Sequence, residues 1–136
     1  MKIIVCVDDN LGMMFNRRRQ SQDRIVREDI LKLKENKKLW MNSYSKEQFQ
    51  ESRELNINED FLEKAESDDY CFVENLHISG IIDKVEEIII YCWNKKYPAN
   101  FYFDVNLTNG DWRLVGSKEL EGYSHEKISR EIWRKL

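Results

Sequence analysis

Proline is nearly absent from this chain: Pro98 is the only one, and there are five glycines in 136 residues. No Pro- or Gly-rich linker, repeat or low-complexity segment interrupts it, so a single domain over residues 1–136 is expected. Three cysteines, Cys6, Cys71 and Cys92, form no CxxC pair and no Cys/His metal spacing. Their odd number and apolar settings predict buried free thiols in a reducing, cytoplasmic setting. The two histidines, His77 and His125, have no carboxylate or cysteine at ligand spacing, so no metal role is assigned to them. No apolar run nears the ~18 residues of a membrane span. Lys2 is followed by only five apolar residues before Asp8 and Asp9, too few for a signal peptide. The net charge of −3 offers duplex nucleic acid and anionic membranes no general attraction.

What is present is a globular composition, 41% hydrophobic and 35% charged. Charge is unevenly spread: residues 17–38 carry nine Lys/Arg against four acids. That excess can steer an anionic ligand or an acidic protein surface, or simply solvate a helix face.

Apolar patterning predicts the elements. Lys2–Asp8 reads as a buried strand. Residues 9–20 read as loop. Ser21 reads as the N-cap of a helix with Asp23 in its first turn. Ile25, Val26, Ile30, Leu31 and Leu33 give that helix an apolar stripe to about Glu35. Leu39–Asn42 is a short strand, and Ser45-x-x-Gln48 has the spacing of a capping box before Phe49. The polar stretch from Glu51 to Asn58 is poorly patterned, although Leu55 and Ile57 alternate as in an edge strand. A short helix over Asn58–Ala65 and a strand over Asp69–Glu74 follow. His77–Ile82 is ambiguous. Val85–Trp93 is the strongest strand and reads as central. Phe101–Leu107 and Trp112–Val115 read as strands around a Thr108–Asp111 turn. Lys127–Trp133 fits an edge strand or a short helix. The alternation predicts an α/β fold with a mixed, mostly parallel central sheet flanked by helices.

Several residues could carry chemistry. Asp8 and Asp9 could pair for acid–base work or Mg²⁺, although neighbours on a strand point to opposite faces. Asp23 either protonates a substrate or caps the helix. Arg17, Arg18 and Arg19 before a helix start suit a phosphate or an acidic partner. Met13, Met14 and Phe15 form either a flexible apolar lid or core. No local pattern supports a Ser-His-Asp or Cys-His site, although triads assemble in space. Trp40, Trp93, Trp112 and Trp133 read as core or edge aromatics, with stacking on a base open to one of them.

The opening IIVCVDDNLGMMFN, a strand running into acids, a glycine loop and then a helix, resembles the start of dihydrofolate reductase. KLWMNSYSKEQF is similar to that family's strand ending in Met-Gly before a helix, with Asn42 in place of glycine. FLEKAESDDYCFVEN, VEEIIIYCW, PANFYFDV and WRLVGSKELEGYSHEKISREIW follow colinearly as its later elements. The resemblance implies a dihydrofolate reductase-like fold, an NADPH cofactor, a pterin-like substrate and a carboxylate at the first helix. The departures fall on those functions. Arg17–Gln20 stands where the family has a proline-tryptophan pair. Arg24 takes the place of the catalytic acid, with Asp23 one residue early. Glu74-Asn75 replaces the paired glycines at the cofactor pyrophosphate. Ser43 replaces a phosphate-holding arginine, while Ser45 keeps a hydroxyl near the helix start. The chain is also shorter than typical reductases, in the middle where cofactor segments lie.

The expected function is therefore a non-catalytic binding or regulatory protein with no cofactor. It would contact a nucleotide-type anion or an acidic protein surface through Gly12, Met13, Met14, Phe15, Arg17, Arg18, Arg19, Ser21, Arg24 and Ser45. The alternative is a divergent enzyme. It would be either an NADPH-dependent reductase of a pterin-like substrate or a nucleotide- or RNA-directed hydrolase using Asp8, Asp9 or Asp23.

Overall fold

The computed structural model describes residues 1–50, 52 and 54–136. In chain order its strands and helices are β1 (Lys2–Val7), β2 (Gly12–Phe15), β3 (Arg18–Arg19), α1 (Arg24–Lys34), β4 (Leu39–Met41), α2 (Ser43–Lys46), β5 (Asn56–Ile57), α3 (Phe61–Lys64), β6 (Tyr70–Phe72), β7 (Glu87–Cys92), β8 (Phe101–Tyr102), β9 (Trp112–Leu120) and β10 (Ile128–Lys135). Short 3₁₀ turns cover Glu47–Phe49 and Ser79–Lys84.

Seven strands form the central sheet in the order β5-β4-β6-β1-β7-β10-β9. The first five are mutually parallel; β10 runs antiparallel to both of its neighbours, β7 and β9. Alternation along the buried strands splits the core in two. Ile3, Val5 and Val7 of β1 and Ile88 and Ile90 of β7 face one cluster, with Phe61 and Ile78. Ile4, Ile89 and Tyr91 face the other, where Val26 and Ile30 of α1 cover them. That two-sided burial is why both strands read as unbroken apolar runs. The carboxyl ends of β4, β6, β1 and β7 therefore meet at one edge of the sheet, each followed by a polar residue or loop.

The two-strand hairpin β2–β3, with β8 beside it, makes a second sheet of order β3-β2-β8 where a loop is expected from the sequence. Asn16 and Arg17 form its turn with φ of 49° and 65°, the left-handed pair of a type I′ hairpin. Asparagine is common there, but arginine in place of glycine hides the signal. Phe101–Leu107 contributes only β8, because Phe101–Tyr102 alone pair with β2.

Helix starts also shift. The cap of α1 is Asp23, which accepts the Ile25 N–H at 2.9 Å, and not Ser21. The cap of α2 is Asn42, whose Oδ1 accepts the Ser45 N–H at 3.1 Å, so Ser45 lies inside the helix. The helix expected over Asn58–Ala65 is reduced to α3. The edge strand expected around Leu55 and Ile57 is present as Asn56–Ile57 only, and Glu51 and Arg53 of the preceding stretch lie outside the described residues. The ambiguous tail is a strand between β7 and β9, with Ile132 opposite Ile89. Cys71 is buried, whereas Cys6 and Cys92 are half-buried; all three are free. No described helix is long and apolar enough to cross a membrane.

Candidate functional site

Ligands of open α/β sheets bind at the carboxyl ends of the strands. Here that edge presents Asp8 after β1, Asn42 after β4 and Glu74-Asn75 just beyond β6. A hollow of about 820 Å³ at the opposite edge is lined by Met1, Lys2, Lys84 and Leu136 together with charged residues that include Asp68, Asp83, Glu86 and Arg134.

Asp8 is buried and clamps its own loop. Its Oδ1 accepts the N–H of Asn10 (2.9 Å) and Gly12 (2.7 Å), and its Oδ2 accepts Gln20 Nε2 (3.0 Å) and the Tyr97 N–H (3.2 Å). Burial alone would raise its pKa, but these donors outweigh burial and hold the carboxyl below its ordinary range. Asp9 is exposed, so the two aspartates do not converge on one site. Gly12 serves the clamp: a Cβ there would lie 2.6 Å from Ala99 Cβ and 2.7 Å from Gln20 Nε2.

The β2–β3 hairpin sorts the residues expected to bind together. Met13 and Met14 are buried in the core, brought to the same side by a bulge against β8, and are no lid. Phe15 remains exposed. Arg17 and Arg18 are exposed, and among the described residues no carboxylate pairs with either. Arg19 turns inward. Its Nε and Nη2 reach Glu74 Oε2 and Oε1 at 2.9 and 3.1 Å, Nη2 also donates to the Tyr44 carbonyl (3.2 Å), and the guanidinium lies over the Tyr44 ring. Gln48 Nε2 donates to the same Glu74 carboxylate at 2.9 Å. Burial would lower the Arg19 pKa; the paired carboxylate raises it instead.

This Arg19–Glu74–Gln48 plug divides the edge. On one side a cleft of about 750 Å³ is lined by Met14, Asn16, Arg17, Tyr44, Asn75 and Phe101, with Asn100 at its rim. On the other, a cleft of about 330 Å³ includes Arg24, Arg27, Glu28 and Gln48. Arg24 thus lies apart from Arg17, stacked 4.2 Å over Tyr123 and within 3.8 Å of Glu28. Ser45 belongs to neither: it is buried, with its hydroxyl unpartnered among the described residues.

Asp23 is the most enclosed carboxylate of the set. Its Oδ1 accepts the N–H of Ile25 and Tyr123, and its Oδ2 accepts the Ser124 N–H, each at 2.9 Å. The Ser124 hydroxyl donates to Oδ2 at 3.1 Å, and His125 Nδ1 lies 2.8 Å from it. Burial would raise its pKa, but the bonds from His125 and from the Tyr123, Ser124 and Ile25 N–H groups drive it far below the carboxylate range. An acid so held does not protonate a substrate near neutral pH. Across the ring, His125 Nε2 lies 2.8 Å from Ser21 Oγ and 3.4 Å from the Tyr97 hydroxyl, and Trp93 stacks on the imidazole. His125 is the residue sequence reasoning missed; it stands 102 positions from Asp23, and no local spacing marks it.

No protein-family model and no curated protein matches the sequence. Among solved structures, a dihydrofolate reductase from Enterococcus faecalis, complexed with NADP(H) and RAB-propyl, matches with a TM-score of 0.68. The match covers 98% of this chain and 95% of that one at 6% sequence identity. The chain has the dihydrofolate reductase fold. At that identity the likeness is one of fold alone. In this dihydrofolate reductase-like frame, Glu74 and Asn75 follow β6 where the sequence resemblance sets the family's paired glycines. Glu74 is buried and ion-paired with Arg19, and Asn75 Oδ1 accepts Asn42 Nδ2 at 2.9 Å. A pyrophosphate brought to this backbone would meet a buried carboxylate, so these residues do not fit a dinucleotide held in that manner.

Proposed function

We propose that this chain is a dihydrofolate reductase-like binding or regulatory protein without reductase chemistry. In this reading it takes a nucleotide-type anion in the cleft beside Arg17. The observation that carries the reading is Arg17 itself. It occupies a left-handed turn position that favours glycine, and its guanidinium, without a carboxylate partner among the described residues, borders a cleft lined by Met14, Tyr44 and Phe101. Non-glycine residues in that conformation cost about 1 kcal/mol, and such strain concentrates at functional positions. Apolar walls for a base and one guanidinium for a phosphate match small-ligand sites of this size. The carboxylate oxygens of Asp8 and Asp23 are taken up by internal hydrogen-bond donors, which speaks against either as the acid of a reductase or the working carboxylate of a hydrolase.

Calorimetric titration with AMP, GMP and inorganic pyrophosphate tests this reading, with NADPH and dihydrofolate as competitors. Saturable mononucleotide binding, weakened about tenfold in Arg17→Gly, is expected, since one charge-assisted contact is worth about 1.5 kcal/mol or more. Absence of mononucleotide binding overturns the ligand and leaves an acidic protein surface as the partner class to examine. NADPH binding with turnover of dihydrofolate overturns the reading altogether.

A further inference from the structure

We propose that Ser21, His125 and Asp23 form a nucleophilic hydrolase site for short-chain carboxylic esters, separate from the Arg17 cleft. The three side chains lie in sequence across one imidazole: Asp23 Oδ2 is 2.8 Å from His125 Nδ1, and His125 Nε2 is 2.8 Å from Ser21 Oγ. The protonation pattern follows from the acceptors. Asp23 is a carboxylate and can only accept, so Nδ1 carries the ring proton. In the neutral ring Nε2 then offers its lone pair, and the Ser21 hydroxyl donates to it. This is the arrangement in which a serine is activated by a histidine that a buried acid orients.

The surroundings hold the ring in place. The Asp23 side chain is 0% exposed and that of His125 only 6%. Trp93 stacks on the imidazole with centroids 4.7 Å apart. The loop before His125 passes so close that a Cβ on Gly122 would lie 2.9 Å from Asp23 Oδ2 and 2.5 Å from the His125 carbonyl. A purely structural pin between α1 and this loop is complete without Ser21. Asp23 already ties the two together through the Tyr123 and Ser124 N–H groups, the Ser124 hydroxyl and His125. Ser21 adds nothing to that tie, yet its hydroxyl is set on the one ring nitrogen the pin leaves over. Ser21 is also half-buried and outside any helix or strand, the only one of the three to reach the surface.

The chemistry balances without a cofactor. Ser21 Oγ bonds to the ester carbonyl carbon as its proton passes to His125 Nε2. The carbon–alkoxy bond then breaks, and the departing alcohol takes that proton, leaving an acyl ester on Ser21. Water repeats the sequence, giving up a proton to Nε2, releasing the carboxylic acid and restoring the serine. Ser21 lies two residues ahead of the α1 cap; the Ile25 N–H is already taken by Asp23 Oδ1, which leaves the Arg24 and Val26 N–H groups as the nearest first-turn donors in sequence for the developing oxyanion. None of the clefts described at the carboxyl edge, including one of about 580 Å³ beside Asp8, Asp9 and Cys92, is lined by Ser21. The substrate class that needs no enclosed cleft beside Ser21 is an unhindered ester with a short acyl group.

The test uses the full-length protein with p-nitrophenyl acetate and a biotinylated fluorophosphonate. Intact-mass and peptide mapping should place one phosphonyl group on Ser21, with a p-nitrophenol burst approaching one equivalent. Ser21→Ala should abolish the adduct and lower the acetate rate at least about 100-fold, with an unchanged melting temperature. His125→Gln should lose the adduct and the acetate rate alike, with a lower melting temperature because His125 also belongs to the tie; if it unfolds, Ser21→Ala with the adduct map decides alone. No adduct on Ser21, or an acetate rate equal in Ser21→Ala, overturns the proposal.

Discussion

Asp23 receives five hydrogen bonds while its side chain is sealed from solvent, so its charge is part of what holds α1 to the loop before β10. Removing the charge while keeping the shape leaves those donors poorly matched. Asp23→Asn is expected to cost about 3 kcal/mol at pH 7, in the range for breaking a buried charged network. The sign of the pH dependence follows from the depressed pKa. Folded Asp23 binds its proton far more weakly than an unfolded aspartate, whose pKa is about 3.9. Its contribution is therefore complete above about pH 4 and drains away as pH falls below it. Urea denaturation of both proteins at pH 7 and pH 3 should show the gap narrowing at the lower pH; an equal gap would contradict the assignment. The capping half of this role was legible, because an aspartate just before an apolar helical stripe is a recognised start signal. The other half was not, since the partners at residues 123–125 come from a loop about a hundred positions away.

At the scale of elements, burial on both faces made β1 and β7 legible, and their alternation between two core clusters confirms the reason. The tail stayed ambiguous because Ile128, Ile132 and Trp133 suit a helix or a strand equally; pairing with β7 and β9 decides it. The β2–β3 hairpin was hidden for a different cause. Its strands are four and two residues long, and its turn reads Asn16-Arg17 rather than Asn-Gly. If Arg17 is kept there for its side chain, relieving the turn should strengthen the element. Arg17→Gly is expected to raise stability by up to about 1 kcal/mol, the cost of a left-handed non-glycine residue. Thermal melts should show the variant unfolding at a higher temperature while its mononucleotide affinity falls. A drop in both would make Arg17 a structural residue.

For the whole molecule, the colinear order of elements was readable because backbone architecture tolerates replaced side chains: at 6% identity the fold still matches a reductase with a TM-score of 0.68. The site was less readable because its decisive contacts are long-range: Arg19 with Glu74 across 55 positions, His125 with Asp23 across 102. The same sheet that preserves the fold also shields the thiols. Cys6, Cys71 and Cys92 lie on three of its inner strands, β1, β6 and β7. Burial pushes Cys71 and Cys92 up to about 12, and Cys6 well above its ordinary value. Only the thiolate attacks a disulfide reagent. Near pH 8 the native protein should therefore leave all three thiols unmodified by 5,5′-dithiobis(2-nitrobenzoate) over minutes, whereas 6 M guanidinium, roughly enough to unfold most domains, should release three equivalents at once. In dilute denaturant the slow reaction should follow the unfolded fraction, with the three sites advancing together because their strands are adjacent in one sheet. Early modification of Cys6 or Cys92, the two half-buried thiols, would show that the carboxyl edge opens independently of the core.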